Sequence, residues 1–416
     1  MLTVEQAWEL IADAVSHGPC VRLPLGQAQG LRLAESIDSP LDSPPFDKSM
    51  MDGFAVRVAD IRSGLQRLPV TAEIQAGSLP PRPLGAGETF RILTGAMIPS
   101  GCDAVVPLEW TRTCSETGSD PEEIEIGQTE RIQPGLNLIL RGRSMRQGTR
   151  IAGSGDRLRP ASIAVLAECG IVQPLVHRRP RVAVLSTGNE LVEIDQTPAP
   201  GQIRNSNAAM LCAQIESAGG EPVPLGIAPD HPERLREKIS AGLECDFLCL
   251  SGGVSVGKFD LIPQVLADCQ VHEVFHRVAM KPGKPCWFGI KPDSETASRC
   301  HVFGLPGNPV SSLVSFELFV RFAISRFLGG DLPRPKLVPA RLTAAMTHRS
   351  DRPTWHPACL HQAEGELRVA PVAWQGSFDL SGVATGNCSL QLPAGESSWP
   401  AGAWVQVLPW ESLTAF

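Results

Sequence analysis

Apolar residues near the N-terminus recur at Val4, Trp8, Ile11 and Val15, separated by polar and charged positions. That spacing places them on one helical face. Thr3 and Gln6 stand as a capping-box pair at its start, so the pattern predicts one amphipathic helix over 3–16 whose stripe serves packing. Residues 39–47 (SPLDSPPFD) form a proline-rich crossing segment. Beyond it, over roughly 48–135, the runs VTAEIQAG, ETFRILTG, DAVVPLEW and EEIEIG are broken by Gly and Pro, which predicts a small β domain. CSETGSDPEE within it reads as a polar loop tip.

From Leu158 the period changes. RPASIAVLAECG reads as a helix closed by Gly170. Strand and helix then alternate. RVAVLS (181–186) precedes the helix NSNAAMLCAQIESAGG, EPVPLGIA precedes HPERLREKISAG, and CDFLCLS (245–251) precedes FDLIPQVLADC. The strand VHEVFHRVAM leads to KPGKP, and HVFGLP leads to the helix PVSSLVSFELFVRFAISRFLGG. Such repetition of apolar strands and helices predicts a parallel, doubly covered sheet over about 175–330. DLPRP (331–335) is a linker, and 336–416 returns to short strands, a further all-β unit.

Composition narrows the function. The 416 residues are 43% hydrophobic and 19% charged, an ordinary globular balance. The 39 glycines and 37 prolines imply many turns and short elements. Tyr is absent and aromatics are 5%, which argues against a stacking platform for single strands. The net charge of −7 argues against nucleic acid as a partner, so a small anion would need a local basic patch. Twelve scattered cysteines without a CxxC read as buried free thiols in a reducing cytoplasm. No secretory signal and no membrane span are expected.

The candidate chemistry gathers at strand ends, where ligands of open parallel sheets bind. Ser186-Thr187-Gly188-Asn189-Glu190, Ser251-Gly252-Gly253-Val254-Ser255-Val256-Gly257 and Leu305-Pro306-Gly307-Asn308-Pro309 are three glycine turns, each before a helix. Glycine lets backbone N–H groups approach an anion, and helix N-termini favour phosphate. A phosphate-bearing ligand is expected there. Gly252-x-x-x-x-Gly257-Lys258 imitates a phosphate-binding P-loop, but Phe259 replaces its Ser or Thr. His272-Glu273-x-x-His276 imitates a zinc motif, but on a strand the two rings lie about 13 Å apart, too far to share one ion. Lys281-Pro282-Gly283-Lys284-Pro285 offers two stiffly held ammonium groups for an anion. Glu190, Asp230, Asp260 and Asp52 stand beside these turns; acids beside phosphates commonly bring Mg²⁺, and a helix cap is the alternative role for any one of them.

These residues resemble a known family. Pro45-Phe46-Asp47-Lys48-Ser49-Met50-Met51-Asp52-Gly53-Phe54-Ala55-Val56-Arg57 is similar to the P-x-F-D-x-S-x-M-D-G-Y-A motif of the molybdopterin molybdenumtransferases, the family of MoeA and the gephyrin E-domain. Arg91-Ile92-Leu93-Thr94-Gly95-Ala96, Asp103 and Glu109 resemble its second motif, and STGNEL, SGGVSVGKFD, MKPGKP and GLPGNPVSS the rest. The resemblance spans essentially the whole chain. It implies a multidomain α/β plus β fold: a parallel-sheet, MogA-like molybdopterin-binding domain (1–19, 39–46 and 171–330), a small β domain (47–135), a discontinuous linking domain (20–38 and 142–170) and a C-terminal β-barrel-like domain (331–416). It also implies a cytoplasmic homodimer with a cleft shared between copies.

The implied reaction is Mg²⁺-dependent insertion of molybdate into adenylylated molybdopterin with release of AMP, the upstream molybdopterin adenylyltransferase being a further expected partner. Asp52, Thr94, Glu190 and Asp260 take the catalytic positions, and Asp230 with Asp260 those of the Mg²⁺ ligands. Ser186, Thr187, Gly188, Ser251, Gly252, Gly253, Ser255, Gly257, Lys281, Lys284, Pro306, Gly307, Asn308, Ser311 and Ser377 take the binding positions. Two departures stand out. Leu140-Arg141-Gly142-Arg143-Ser144 replaces R-x-G-E-D, and Trp355-His356-Pro357 replaces an aromatic-x-Arg implicated in molybdate binding. Oxyanion capture is therefore expected to be weakened, and Pro357→Arg to restore it. They leave as alternatives a diverged paralogue that binds the cofactor or its precursor, or a scaffold. A nucleotide hydrolase without molybdenum chemistry is the third reading, resting on the P-loop imitation.

Overall fold

The computed structural model describes residues 1–114, 122–253, 261–293 and 299–410. The chain divides into two compact units. Met1–Glu35, Ser154–Pro160 and Gln173–Phe416 make the first, and Ser36–Gly153 with Ala161–Val172 the second.

The first unit is built on a six-stranded sheet: β1 (Arg181–Thr187), β2 (Glu221–Ala228), β3 (Phe247–Ser251), β4 (His272–His276), β5 (Trp287–Lys291) and β6 (Cys300–Leu305). Their order is β2-β1-β3-β6-β5-β4. Because successive side chains leave a strand on opposite faces, alternate residues feed two cores. Val182, Val184, Phe247 and Cys249 pack with the helices Val4–Ala14, Ser206–Ala218 and Pro309–Ser315. Ala183, Leu185, Leu248 and Leu250 pack with Pro232–Gly242 and Ile262–Asp268. This double cover explains why the strands read as unbroken apolar runs.

The N-terminal helix forms as its pattern predicts. Thr3 and Gln6 make the reciprocal capping box, and Val4, Trp8, Ile11 and Val15 are buried. The last helix of the sheet passes from Pro309–Ser315 through a π turn, Phe316–Val320, into Arg321–Phe327. Trp8 Nε1 donates to Leu318 O of that turn at 2.8 Å and ties the two helices together.

One edge departs from the sequence expectation. β1, β2, β3 and β6 are parallel, but β5 runs antiparallel to both β6 and β4. The link between β4 and β5 carries KPGKP and no helix, and a parallel neighbour needs a crossover of about a dozen residues or more. The strand expected over VHEVFHRVAM is confined to His272–His276, and β5 goes unrecognised in the sequence.

The same unit ends in a closed five-stranded barrel of Val338–Leu342, Glu366–Pro371, Thr354–Ala363, Cys388–Leu392 and Trp404–Pro409. Val338, Ala340, Leu360, Val369, Leu390 and Val407 fill it. In the second unit a six-stranded sheet runs in the order Ala104–Pro107, Gly53–Val56, Thr89–Ile92, Arg67–Ile74, Glu123–Ile126, Thr111–Thr113. The cysteines are all unpaired, but only Cys169, Cys245, Cys249, Cys286, Cys300 and Cys388 are buried. Cys20 is exposed, which corrects the reading of every thiol as a core residue. No helix among the described residues is long and apolar enough to cross a membrane.

Candidate functional site

The three glycine turns converge at the carboxyl ends of β1, β3 and β6 and line a cleft of about 750 Å³. Thr187, Gly188, Glu190, Asp230, Ser251, Gly252, Gly253, Pro306, Gly307 and Asn308 all face it. Glycine is required at the second turn. Gly252 has φ +94°, and a Cβ there would sit 2.7 Å from the Thr187 carbonyl oxygen. A Cβ on Gly307 would lie 3.6 Å from the Gly252 Cα, so the second and third turns touch.

Residues beyond the glycines hold this wall. Asn207 Nδ2 lies 2.8 Å from Ser251 Oγ and 2.8 Å from Gly307 O, bridging the two turns. Asn205 caps the helix Ser206–Ala218, its Oδ1 accepting from Ala208 N at 3.2 Å and from Ser186 Oγ at 2.9 Å. Ser186 is buried, its hydroxyl is committed to Asn205, and it does not line the cleft. The sequence reading missed Asn205 and Asn207. Their signal is the Arg-Asn-Ser-Asn run at the helix start, where Asn is a preferred cap. It also missed Phe378, an exposed ring on the cleft.

Glu190 and Asp230 bring two carboxylates to the same cleft. Oxygen donors of this kind suit Mg²⁺, which completes its shell with ligand phosphates and water. No cluster of three or more His, Cys, Asp or Glu side chains that could hold a metal occurs among the described residues. Ser255, Gly257 and Asp260 lie outside the described residues.

A second cavity of about 530 Å³ shares Pro285, Pro306 and Asn308 with the cleft. The KPGKP link supplies Lys281 and Lys284, the helix start supplies Ser311, and the barrel side supplies His348, Arg349, Arg352, His356 and Ser377. Asn308 Nδ2 donates to Ser377 Oγ at 3.0 Å and joins the third glycine turn to this wall. None of the residues lining the cavity is a carboxylate. Burial and the neighbouring Lys281 charge hold the His348 imidazole below its ordinary pKa. Pro357 does not line the cavity. It is buried in the strand Thr354–Ala363 opposite Ser389, so an arginine there would start inside the barrel wall and not in the cavity as expected. Arg349 and Arg352 were missed in the sequence because nothing in the text THRSDRP marks it as facing KPGKP.

In the second unit, Asp52 and Thr94 meet. Asp52 Oδ1 accepts from Thr94 N and from Thr94 Oγ1, both at 2.7 Å. These two bonds, the hydroxyl's first, hold the Asp52 carboxyl below its usual range. Gly53 starts the strand beside it, and a Cβ there would strike Val106 O at 2.1 Å. In the altered Leu140–Ser144 stretch, Arg141 Nε donates to Asp42 at 2.7 Å and Arg143 is exposed.

Three family models match the chain: "MoeA N-terminal region (domain I and II)" over residues 2–170, "Probable molybdopterin binding domain" over 183–326, and "MoeA C-terminal region (domain IV)" over 339–410. A Bacillus subtilis (strain 168) protein named molybdopterin molybdenumtransferase is 35% identical over 412 residues, which cover 98% of this chain and 94% of that protein. A Nostoc protein of the same name is 37% identical, covering 92% of this chain and 87% of its own. The crystal structure of the molybdopterin biosynthesis MoeA protein from Pyrococcus horikoshii is 31% identical, has a TM-score of 0.81 and covers 99% of this chain and 100% of its own.

Proposed function

Because the chain belongs to the MoeA family of molybdopterin molybdenumtransferases, we propose that it inserts molybdate into adenylylated molybdopterin with Mg²⁺ and releases AMP. It is an enzyme of molybdenum cofactor biosynthesis. The single observation that carries the finer reading is the adjacency of two unlike cavities. A glycine-walled cleft with two carboxylates opens beside a cationic cavity free of carboxylates, and Pro285, Pro306 and Asn308 belong to both.

The cleft suits the phosphates of the pterin nucleotide, whose oxygens take backbone N–H groups at the glycine turns. The cavity suits a small tetrahedral dianion next to it, held by Lys281, Lys284 and Ser311. Proximity of the two ligands is then the chief service of the protein, since the dithiolene and the oxyanion meet already oriented. Asp230 with Asp260 would hold Mg²⁺, which neutralises phosphate charge when bound. Glu190 lines the same cleft, facing the space those phosphates would occupy.

The test is incubation of the full chain with adenylylated molybdopterin, Mg²⁺ and molybdate, scoring AMP release and active cofactor together. Asp230→Asn is expected to lose most Mg²⁺-dependent AMP release while its melting temperature stays within a few degrees. Full activity in that variant removes Asp230 from the site. AMP release without active cofactor in the unaltered chain overturns the insertion step.

A further inference from the structure

At the second cavity, the protonation of one ring is fixed by its neighbours. Trp374 Nε1 can only donate, and it lies 3.0 Å from His356 Nε2, so Nε2 is the acceptor. His356 Nδ1 lies 2.7 Å from the carbonyl oxygen of Pro357, which can only accept, so Nδ1 carries the proton. Burial also pushes this imidazole below its ordinary pKa. Both nitrogens are engaged by the protein, and His356 presents a neutral ring to the cavity with no donor left for a ligand.

Arg352 is placed differently. Its Nη1 donates to Met280 O at 3.2 Å, the residue immediately before Lys281. Lys281 N donates to Pro353 O at 2.9 Å and Trp355 N to Lys281 O at 2.8 Å, so the segment carrying Arg352 is laced to the lysine link by its backbone. Nε lies 3.3 Å from each Asp351 oxygen, but the Asp351 side chain is 78% exposed, and such pairs contribute little. Nη2 has no partner among the described residues, nor have the ammonium groups of Lys281 and Lys284. A guanidinium offers planar, paired donors that match two oxygens of a tetrahedral anion, which an ammonium does not.

We infer that Arg352 is the guanidinium that captures a tetrahedral oxyanion in this cavity, beside Lys281 and Lys284, and that His356 is not a ligand. The inference rests on the proposal that the cavity takes molybdate. It assigns the fork of donors to the loop before the barrel strand, where the Trp355-His356-Pro357 text has none.

Sodium molybdate alone, titrated into the full chain by calorimetry, tests it. Arg352→Gln is expected to raise the Kd roughly 10- to 150-fold, the range of one charge-assisted hydrogen bond. Arg352→Lys, which keeps the charge and a donor for Met280 O but not the fork, is expected to fall between. His356→Gln is expected to stay within about two-fold of the unaltered chain, since it removes no ligand. If Arg352→Gln lowers the melting temperature, Arg352→Lys carries the comparison. Equal Kd values for the unaltered chain and both Arg352 variants overturn the inference and leave the reading of the cavity standing. A loss on His356→Gln as large as on Arg352→Gln overturns the second half. An unaltered chain that binds no molybdate but still releases AMP overturns the reading of the cavity, and the inference with it.

Discussion

Asn207 has one side-chain nitrogen and directs it at two turns, to Ser251 Oγ and to Gly307 O. Asn207→Ala removes both bonds, about 1–3 kcal/mol together at the usual net value of each. Asn207→Asp removes the donor and sets a carboxylate where ligand phosphates are expected, so its loss should be the larger. The expected order of molybdopterin affinity, read by fluorescence titration, is unaltered chain, then Ala, then Asp. An Asp variant that binds as well as the unaltered chain would show that no anion lies near Gly307. Side chains of this kind are where the sequence is least informative. Glycine turns announce themselves because only glycine tolerates their backbone, whereas Asn205, Asn207 and Arg352 act through partners 19 to 100 residues away in the chain or through a facing carbonyl. Ser186 shows the converse: it belongs to the first turn's motif, yet its hydroxyl points into the core at Asn205.

Turns, strands and helices were more legible. Period and capping located the N-terminal helix, and β2 falls on EPVPLGIA with no shift. The failure at β4 and β5 has a physical cause. β4 (HEVFH) exposes His272 and Glu273 and buries Phe275, and β5 (WFGIK) buries its first three residues; neither pattern carries a direction, and only the length of the link tells antiparallel from parallel. The glycine turns allow a contrast between two elements of the same cleft. Gly252→Ala forces a Cβ within 2.7 Å of a backbone oxygen at φ +94°, a strain of roughly 1–3 kcal/mol. Gly307 has no positive φ, and its added Cβ meets only the Gly252 Cα at 3.6 Å, an ordinary contact. Gly252→Ala should therefore lower the denaturant midpoint, and Gly307→Ala should leave it unchanged while still crowding the ligand. If both variants unfold at the midpoint of the unaltered chain, the second turn has room that the geometry denies it.

The two compact units divide the candidate chemistry between them. Every residue lining the cleft and the cationic cavity belongs to the first unit, while Asp52 and Thr94 belong to the second. The family resemblance expects two copies to combine, with the second unit of one completing the site of the other. Light scattering should then give a mass near twice 44.6 kDa at micromolar concentration. Mass alone does not say whether the site is shared, but a mixture of inactive variants does. Asp52→Asn damages the second unit and Asp230→Asn the first. Two-fold pairing puts like with unlike at random when the chains are unfolded and refolded together, so about half of the dimers are mixed. In a mixed dimer with shared sites, one cleft carries both lesions and the other carries none. One site in two, in half of the dimers, recovers about a quarter of the activity of the unaltered chain. Each variant refolded alone should stay inactive, which controls for refolding itself. If every chain completes its own site, each cleft in a mixed dimer keeps one lesion and no recovery follows. Recovery near a quarter therefore assigns Asp52 to the partner's cleft, and its absence in a mixture shown to be dimeric assigns Asp52 to the cleft of its own chain or to neither.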